Sequence, residues 1–494
     1  MECDDRYMEC DDRYMEMKNK SLKKNYILNL IYQIITIIVP FITTPYISRV
    51  LQVGGVGAYS YTLATATYMG TFAILGMDIY GQLQVAKCRE DKRECSKLIY
   101  GIFAAKFLTT AITILVYIVL EPYIGMYKNL YWIMIIFFLS QLVDFTWFFQ
   151  GIEEFAFIVT RNLLVKGVGI IGIFCFVKNP DDVGIYTIIM QGTVFIGNLI
   201  VVPYLRKFVT LIPVKQIDIL PHLKGGLIYF VPTIATSVYT MLDKAMIGWI
   251  TKTPYENGYY EQAYKIVQMV LVVVTSLRTV TLPRVVRLYD EKNYNELRNI
   301  IDTTIRFVIC IAMPMAVGLM MVAPQLIPLF LGESFQKCIL IVRVLAVLIV
   351  VVGLSVLISG QCLTAMGKQK QANICVIAGA VINFIMNLVL IPLVGALGAA
   401  IATVAAETLI LNMLMAFGRQ DIKIREIVKQ FFRYGFCSVI MAAAIYGLNY
   451  TGLGDELLLM SKILLGIMVY LGSLLLIKDD LIMNFIHSII LRVK

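Results

Sequence analysis

The sequence predicts an all-α polytopic membrane protein with about 14 transmembrane helices, and three observations carry that reading. Hydrophobic residues make up 59% of the 494 and charged residues only 15%, against roughly 25% charged in a soluble chain. Mean hydropathy is +0.78. Charged or Pro/Gly-rich breaks separate apolar stretches near the ~20 residues that a helix needs to cross a hydrocarbon core of about 30 Å.

The first element is residues 1–14, a tandem heptapeptide of two MECDDRY copies. It is acidic and polar and lacks the apolar core of a secretory signal. Residues 1–17 are therefore expected to be a disordered extension without function, with the working start at Met15 or Met17. From Met17 the basic run MKNKSLKKNY leads into the first apolar stretch. The fourteen predicted spans are 26–48, 57–80, 98–120, 129–150, 157–177, 183–203, 226–250, 259–282, 300–322, 339–360, 372–391, 394–417, 431–450 and 457–477.

The net charge of +10 is distributed in a pattern. From Met17 onward, the chain ends and every second break between spans, with Arg161 at the start of the fifth span, hold 27 Lys and Arg, while the alternate breaks hold five: Arg49, Lys128, Lys178, Lys252 and Lys337. Lys and Arg concentrate on the cytoplasmic side of a membrane protein. Both termini are thus expected in the cytoplasm, in a cell (inner or plasma) membrane protein. No concentrated basic patch with interleaved aromatics is present, so nucleic acid is not an expected partner. Two histidines, His222 and His487, stand apart from any Cys cluster, and the ten cysteines lack CxxC spacing. No metal site or cofactor is expected. Cys88 and Cys95 flank a charged segment placed in the cytosol and are expected to be free thiols.

Spans one and seven share a pattern, Val39-Pro40-Phe41-Ile42-Thr43-Thr44 against Val231-Pro232-Thr233-Ile234-Ala235-Thr236. Each is followed by a Gly-Tyr start to the next span, Gly57-Ala58-Tyr59-Ser60 and Gly258-Tyr259-Tyr260-Glu261. This predicts two six-helix lobes related as parallel repeats: an N-lobe over 18–203, a cytoplasmic linker over 204–225 and a C-lobe over 226–417. Residues 418–494 add two C-terminal helices and a tail. Proline inside a span removes a backbone hydrogen bond and kinks the helix, so Pro40, Pro232 and Pro314 are expected bends on which lobes open and close.

An ionisable side chain within a span costs at least ~2.5 kcal/mol on insertion scales, so it should face a wet cavity or a partner. The cations in such positions are Lys106, Lys166, Lys244, Lys265, Arg278, Arg306 and Arg343; the acids are Asp78, Asp144, Asp243 and Glu407. Glu261, Lys265, Gln268, Thr275 and Arg278 share one face of the eighth span at helical spacing. Asn29, Gln33, Thr36, Pro40 and Thr43 do so in the first span, and Tyr229, Thr233, Thr236, Thr240 and Asp243 in the seventh. Such stripes imply a shared hydrophilic interior. Lys and Arg within it imply an anionic passenger, since they are the usual partners of phosphate oxygens. Lys106, Lys166, Lys244, Lys265, Arg278 and Arg306 are the candidate substrate-binding cations, with Lys106, Arg306 and Arg343 near enough to span ends to reach the head groups instead. Asp78 and Asp144 either pair with Lys106 or Lys166 or take up protons, and Asp243 is a third candidate for ion coupling or charge pairing.

The stretch Asp144-Phe145-Thr146-Trp147-Phe148-Phe149-Gln150-Gly151-Ile152-Glu153 resembles the W-x-x-Q-G-x-E signature of Wzx-type oligosaccharide flippases of the multidrug/oligosaccharidyl-lipid/polysaccharide superfamily. The resemblance runs from residue 18 to about 480. It implies a V-shaped pair of six-helix lobes with two peripheral helices around a cationic cavity. It also implies transfer of polyprenyl-pyrophosphate-linked oligosaccharide repeat units from the cytoplasmic to the outer leaflet by alternating access, for cell-surface polysaccharide synthesis, with coupling to an H+ or Na+ gradient. The expected partners are that substrate, the lipid bilayer, and a polysaccharide polymerase and glycosyltransferases. Trp147, Gln150 and Glu153, which match the signature, are expected to shape a helix end rather than touch substrate. The alternatives are a lipid II flippase, another exporter of the superfamily acting on drugs or metabolites, and a membrane glycan polymerase. A drug exporter would favour acidic cavity residues, and a polymerase needs a larger outward loop than the longest here, 323–338. The protein is therefore not expected to be an enzyme. Deleting residues 1–14 should leave surface polysaccharide unchanged when quantified in a complemented transport-deficient strain.

Overall fold

The computed structural model describes the backbone of residues 2–124, 126–420 and 422–483, and side chains from residue 35 onward except 37, 124, 214, 231–233, 235–240, 279 and 280. Regular structure among the described residues is helical throughout. The chain runs through α1 (Glu2–Ile74), α2 (Met77–Cys88), α3 (Lys92–Ile124), α4 (Lys128–Ile133), α5 (Ile135–Leu142), α6 (Thr146–Gly151), α7 (Phe155–Phe176) and α8 (Val183–Leu205). It continues through α9 (Leu220–Thr251), α10 (Pro254–Thr275), α11 (Leu277–Asp290), α12 (Tyr294–Leu331), α13 (Cys338–Leu345) and α14 (Val347–Ile358). A π-helical segment, Ser359–Thr364, extends α14 and is followed by α15 (Gln369–Val394), α16 (Ala396–Phe417), α17 (Ile424–Gly447) and α18 (Asp455–Leu476). The heptapeptide repeat, with Asn29 and Gln33 of the first stripe, falls where side chains lie outside the described residues.

Helix α1 is broken at Gln52, whose φ of 54° and ψ of −174° separate two arms that carry the first and second predicted spans. The fourth predicted span is three short helices rather than one. Among the described residues, ten helical stretches are long and apolar enough to cross a membrane. The remaining four predicted spans lie on α1, on α9 and on α10.

Two compact units are present: residues 1–43 with 65–234, and residues 44–64 with 235–494. Helices α1 and α9 contribute to both, and the unit boundaries at 43/44 and 234/235 fall three and two residues after Pro40 and Pro232.

In the first unit Trp147, Phe148 and Phe149 of the signature are buried with Met77, Val85, Ile102, Val201 and Leu205. Lipid supplies no hydrophobic force between helices, so close packing and small residues hold them together. Gly81 provides that closeness: a Cβ there would lie 2.5 Å from the Trp147 ring, and one on Gly151 would lie 2.7 Å from Val85. The first turn of α9 packs within this unit, with the Tyr80 hydroxyl 3.3 Å from His222 Nδ1. Burial holds the His222 imidazole below its ordinary pKa, partly offset by Asp218.

In the second unit the two Gly-Tyr motifs meet. A Cβ on Gly57 would lie 2.7 Å from the Gly258 nitrogen, and one on Gly258 would lie 2.9 Å from Val53. α15 and α16 form a tight antiparallel pair, turned at Gly395 with φ of 60°. Glu256 accepts from the Ala396 N–H at 2.9 Å, at the start of α16. α12 lies against both α17 and α18.

Lys106 is 2% exposed and its ammonium sits 2.9 Å from Asp78 Oδ1, a buried ion pair between α2 and α3. Removing one partner of such a pair leaves an uncompensated charge and costs about 3–5 kcal/mol, whereas replacing both by apolar residues is near neutral. Asp78→Ala should therefore lower the thermal unfolding temperature in detergent markedly, and the double variant Asp78→Leu/Lys106→Met should recover most of the loss.

Candidate functional site

The polar interior of the second unit is a cavity of about 340 Å³ lined by Asp243 and Lys244 of α9, Tyr260, Tyr264, Gln268 and Thr275 of α10, Leu348, Val352 and Val356 of α14, and Thr403 and Glu407 of α16. The α10 stripe places these side chains. Gln268 and Thr275 face the cavity, while Glu261, one turn before Lys265, anchors the cations. Its carboxylate lies 2.7 Å from Lys244 Nζ and 3.1 Å from Lys265 Nζ, and accepts from the Ser60 hydroxyl at 2.9 Å. Lys244 also lies over the Tyr264 ring, 5.5 Å from its centroid.

Asp243, adjacent to Lys244 in the chain, is held by neutral groups instead. Its carboxylate accepts from the Tyr260 hydroxyl at 2.8 Å and lies 2.7 Å from Thr403 Oγ1. Asn387 Nδ2 donates to the other oxygen and, at 3.1 Å, to Asn383 Oδ1. Charge next to these amides is thus held by neutral donors from α10, α15 and α16.

The other candidates are distributed elsewhere. Arg278 opens α11 and packs against the π-helical segment at Gly360; its guanidinium has neither a hydrogen bond nor an ion pair among the described residues. Lys166 Nζ donates to Thr36 at 2.6 Å in the first unit. Lys106 is held by Asp78, and Asp144 by the Thr146 N–H at 2.8 Å. Of the two partnerships open to Asp78, the structure realises the one with Lys106. Arg306 bonds Asp479 at 2.9 Å and Tyr434 at 3.1 Å, away from the cavity. Burial raises the Asp479 pKa, but hydrogen bonding and charge from Arg306, with Arg433, outweigh it and hold the carboxyl below its usual range. Trp147 is 3% exposed and Glu153 pairs with Arg89 at 3.2 Å, so both signature residues close a helix end.

Sequence reasoning placed Glu261 on the stripe without recognising it as the counter-ion of two lysines. It also passed over Arg433 and Lys462 as charges within spans. Lys462 is 1% exposed, with Gln325 Oε1 at 2.7 Å. The spacing of Glu261 and Lys265 at i,i+4 was the available signal for the first. Among the described residues no group of three or more His, Cys, Asp or Glu is placed to hold a metal ion, and Cys88 and Cys95 are free thiols.

Comparison with known proteins gives family matches across residues 22–389. The family model described as "Polysaccharide biosynthesis protein" matches residues 22–289, and the MatE model matches 230–389. A protein of Shigella dysenteriae named "Putative O-antigen transporter" is 23% identical over 80% of this chain and 99% of its own length. One of the same name from Escherichia coli (strain K12) is 20% identical over 81% and 97%. Among solved structures, the lipid II flippase MurJ in an inward closed conformation has a TM-score of 0.77 at 19% identity, covering 92% of this chain and 100% of that one. An inward-facing multidrug resistance MATE family transporter of the MOP superfamily has a TM-score of 0.58 at 16% identity over 80% and 99%. The fold is therefore that of these transporters, and the chain belongs to the polysaccharide biosynthesis protein family, within the multidrug/oligosaccharidyl-lipid/polysaccharide superfamily.

Proposed function

We propose that this protein is a flippase that carries polyprenyl-pyrophosphate-linked oligosaccharide repeat units from the cytoplasmic to the outer leaflet of the cell membrane by alternating access. The observation that carries the reading is the pair of lysines at the membrane-embedded cavity, with Arg278 on the helix that follows α10. Lys244 and Lys265 share one carboxylate, Glu261, and Arg278 has no anionic partner among the described residues. A pyrophosphate supplies the oxygens these donors are arranged to meet, and charge-assisted bonds to phosphate are among the strongest available to Lys and Arg. Gln268, Thr275, Tyr260 and Tyr264 offer hydrogen bonds suited to sugar hydroxyls, while the polyprenyl tail stays in the bilayer.

The names of the relatives, O-antigen transporters, agree with an oligosaccharide passenger, as does the family description. The alternation of basic and non-basic breaks supports cytoplasmic termini. Delivery to a polysaccharide polymerase, after assembly by glycosyltransferases on the cytoplasmic side, completes the pathway this chemistry requires. Transfer moves a substrate between leaflets and breaks no covalent bond, so the chain need not be an enzyme. Coupling to an H+ or Na+ gradient would supply the direction.

Lys265→Ala and Arg278→Ala should each abolish surface polysaccharide while membrane abundance stays normal, measured by glycan staining and immunoblot of the same cells; wild-type output from either would refute the binding role. Glu261→Gln removes the anion that holds Lys244 and Lys265. It should tighten binding of a polyprenyl pyrophosphate to the purified protein about tenfold or more, since a charge-assisted contact is worth roughly 1.5–3 kcal/mol, and should lower the export rate because release slows.

A further inference from the structure

We propose that Glu407 is the residue that takes up and releases the proton coupling this transport to a pH gradient. The proposal rests on the transporter reading above but stands on its own geometry. Six acids lie within the predicted spans, and five have partners: Asp78 with Lys106, Asp144 with Thr146, Asp243 with Tyr260, Thr403 and Asn387, Glu261 with Lys244 and Lys265, and Asp302 with Lys423. Glu407 is 8% exposed, lies in the cavity wall, and has neither a hydrogen bond nor an ion pair among the described residues. Asp78, Asp144 and Asp243, the acids the sequence offered for ion coupling, are all engaged; the unengaged one is on α16.

The surroundings of Glu407 decide its resting state. From α9 the cavity receives Asp243 and Lys244, and from α10 Tyr260 and Tyr264. Lys244 is engaged by Glu261, and Tyr260 by Asp243. α14 presents only Leu348, Val352 and Val356, and neither α13 nor the π-helical segment contributes to the wall. α15 meets α16 at Gly379, against Ile410 and the Ala406 carbonyl, and brings no charge to that level. A carboxylate left unpaired in such a place costs several kcal/mol, and a buried group then neutralises. The side chain therefore rests as a carboxylic acid. When the cavity is wet, its O–H bond breaks and the proton passes to cavity water, leaving a carboxylate. Reprotonation from the other side of the membrane closes the cycle. Asp243, held by three donors, has no such reason to change charge.

The test is infrared spectroscopy of the purified full-length protein in lipid nanodiscs across a pH series, which needs no substrate. Wild type should show a protonated carboxylic C=O band that is lost as pH rises. Glu407→Gln should lack that band, and Glu407→Asp should retain one at a shifted frequency. A titrating band identical in wild type and Glu407→Gln, or none in wild type at any pH, would overturn the assignment. In cells, a protonophore should reduce wild-type surface polysaccharide several-fold while leaving the output of Glu407→Gln, whatever its level, unchanged; retained sensitivity in that variant would also overturn it. Loss of the band in Glu407→Gln with no transport by wild type would instead fault the transport reading and leave the proton site standing.

Discussion

A charge carried into a bilayer must meet an opposite charge or a wet surface, and this constraint organises the protein. Where the cost is met by a partner, the pair acts as structure. Lys106 and Asp78 join α2 to α3, Arg306 and Asp479 tie α12 to the end of α18, and Lys462 leans on Gln325. Beside the cavity the balance differs. Lys244 and Lys265 share the single carboxylate of Glu261, while Asp243 is served by neutral donors and Glu407 lies in the cavity wall. Two ammonium groups on one carboxylate are the feature that an anionic head group would satisfy.

The same region gathers the corresponding parts of the two sequence repeats. Gly57 and Gly258, the equivalent glycines, allow their backbones to touch, and Ser60 and Glu261, the equivalent fourth residues, share a hydrogen bond. The compact units divide within α1 and α9, close after Pro40 and Pro232. A proline deletes one helical hydrogen bond, and these two positions are where the sequence leads one to expect a bend. The buried cluster around Glu261 belongs to the second unit and the Trp147 core to the first.

Much of this was legible in the sequence because it depends on period and hydropathy. Helical class, the ten spans found among the described residues and the polar face of α10 all follow from residue spacing. Three features did not. The break at Gln52 requires a left-handed backbone at a residue with no intrinsic preference for it, and the fragmentation of 129–150 into α4, α5 and α6 follows from packing around Phe138, Phe145 and Trp147. The pairing of Lys106 with Asp78 was one of several the sequence left open, since residues 28 apart share no helical spacing that would select it. Glu407 looked like one acid among several, and its isolation became visible only once every other in-span carboxylate had acquired a partner.

The claim on which the account turns is that the cation set recognises a pyrophosphate. It is tested most directly in vesicles reconstituted with the purified protein, by comparing transbilayer movement of a fluorescent polyprenyl-pyrophosphate oligosaccharide with that of the same glycan on an uncharged polyprenyl ether. The account predicts rapid movement of the pyrophosphate lipid, little movement of the ether, and loss of the difference in Lys265→Ala/Arg278→Ala. Equal movement of the two lipids by wild type would contradict it.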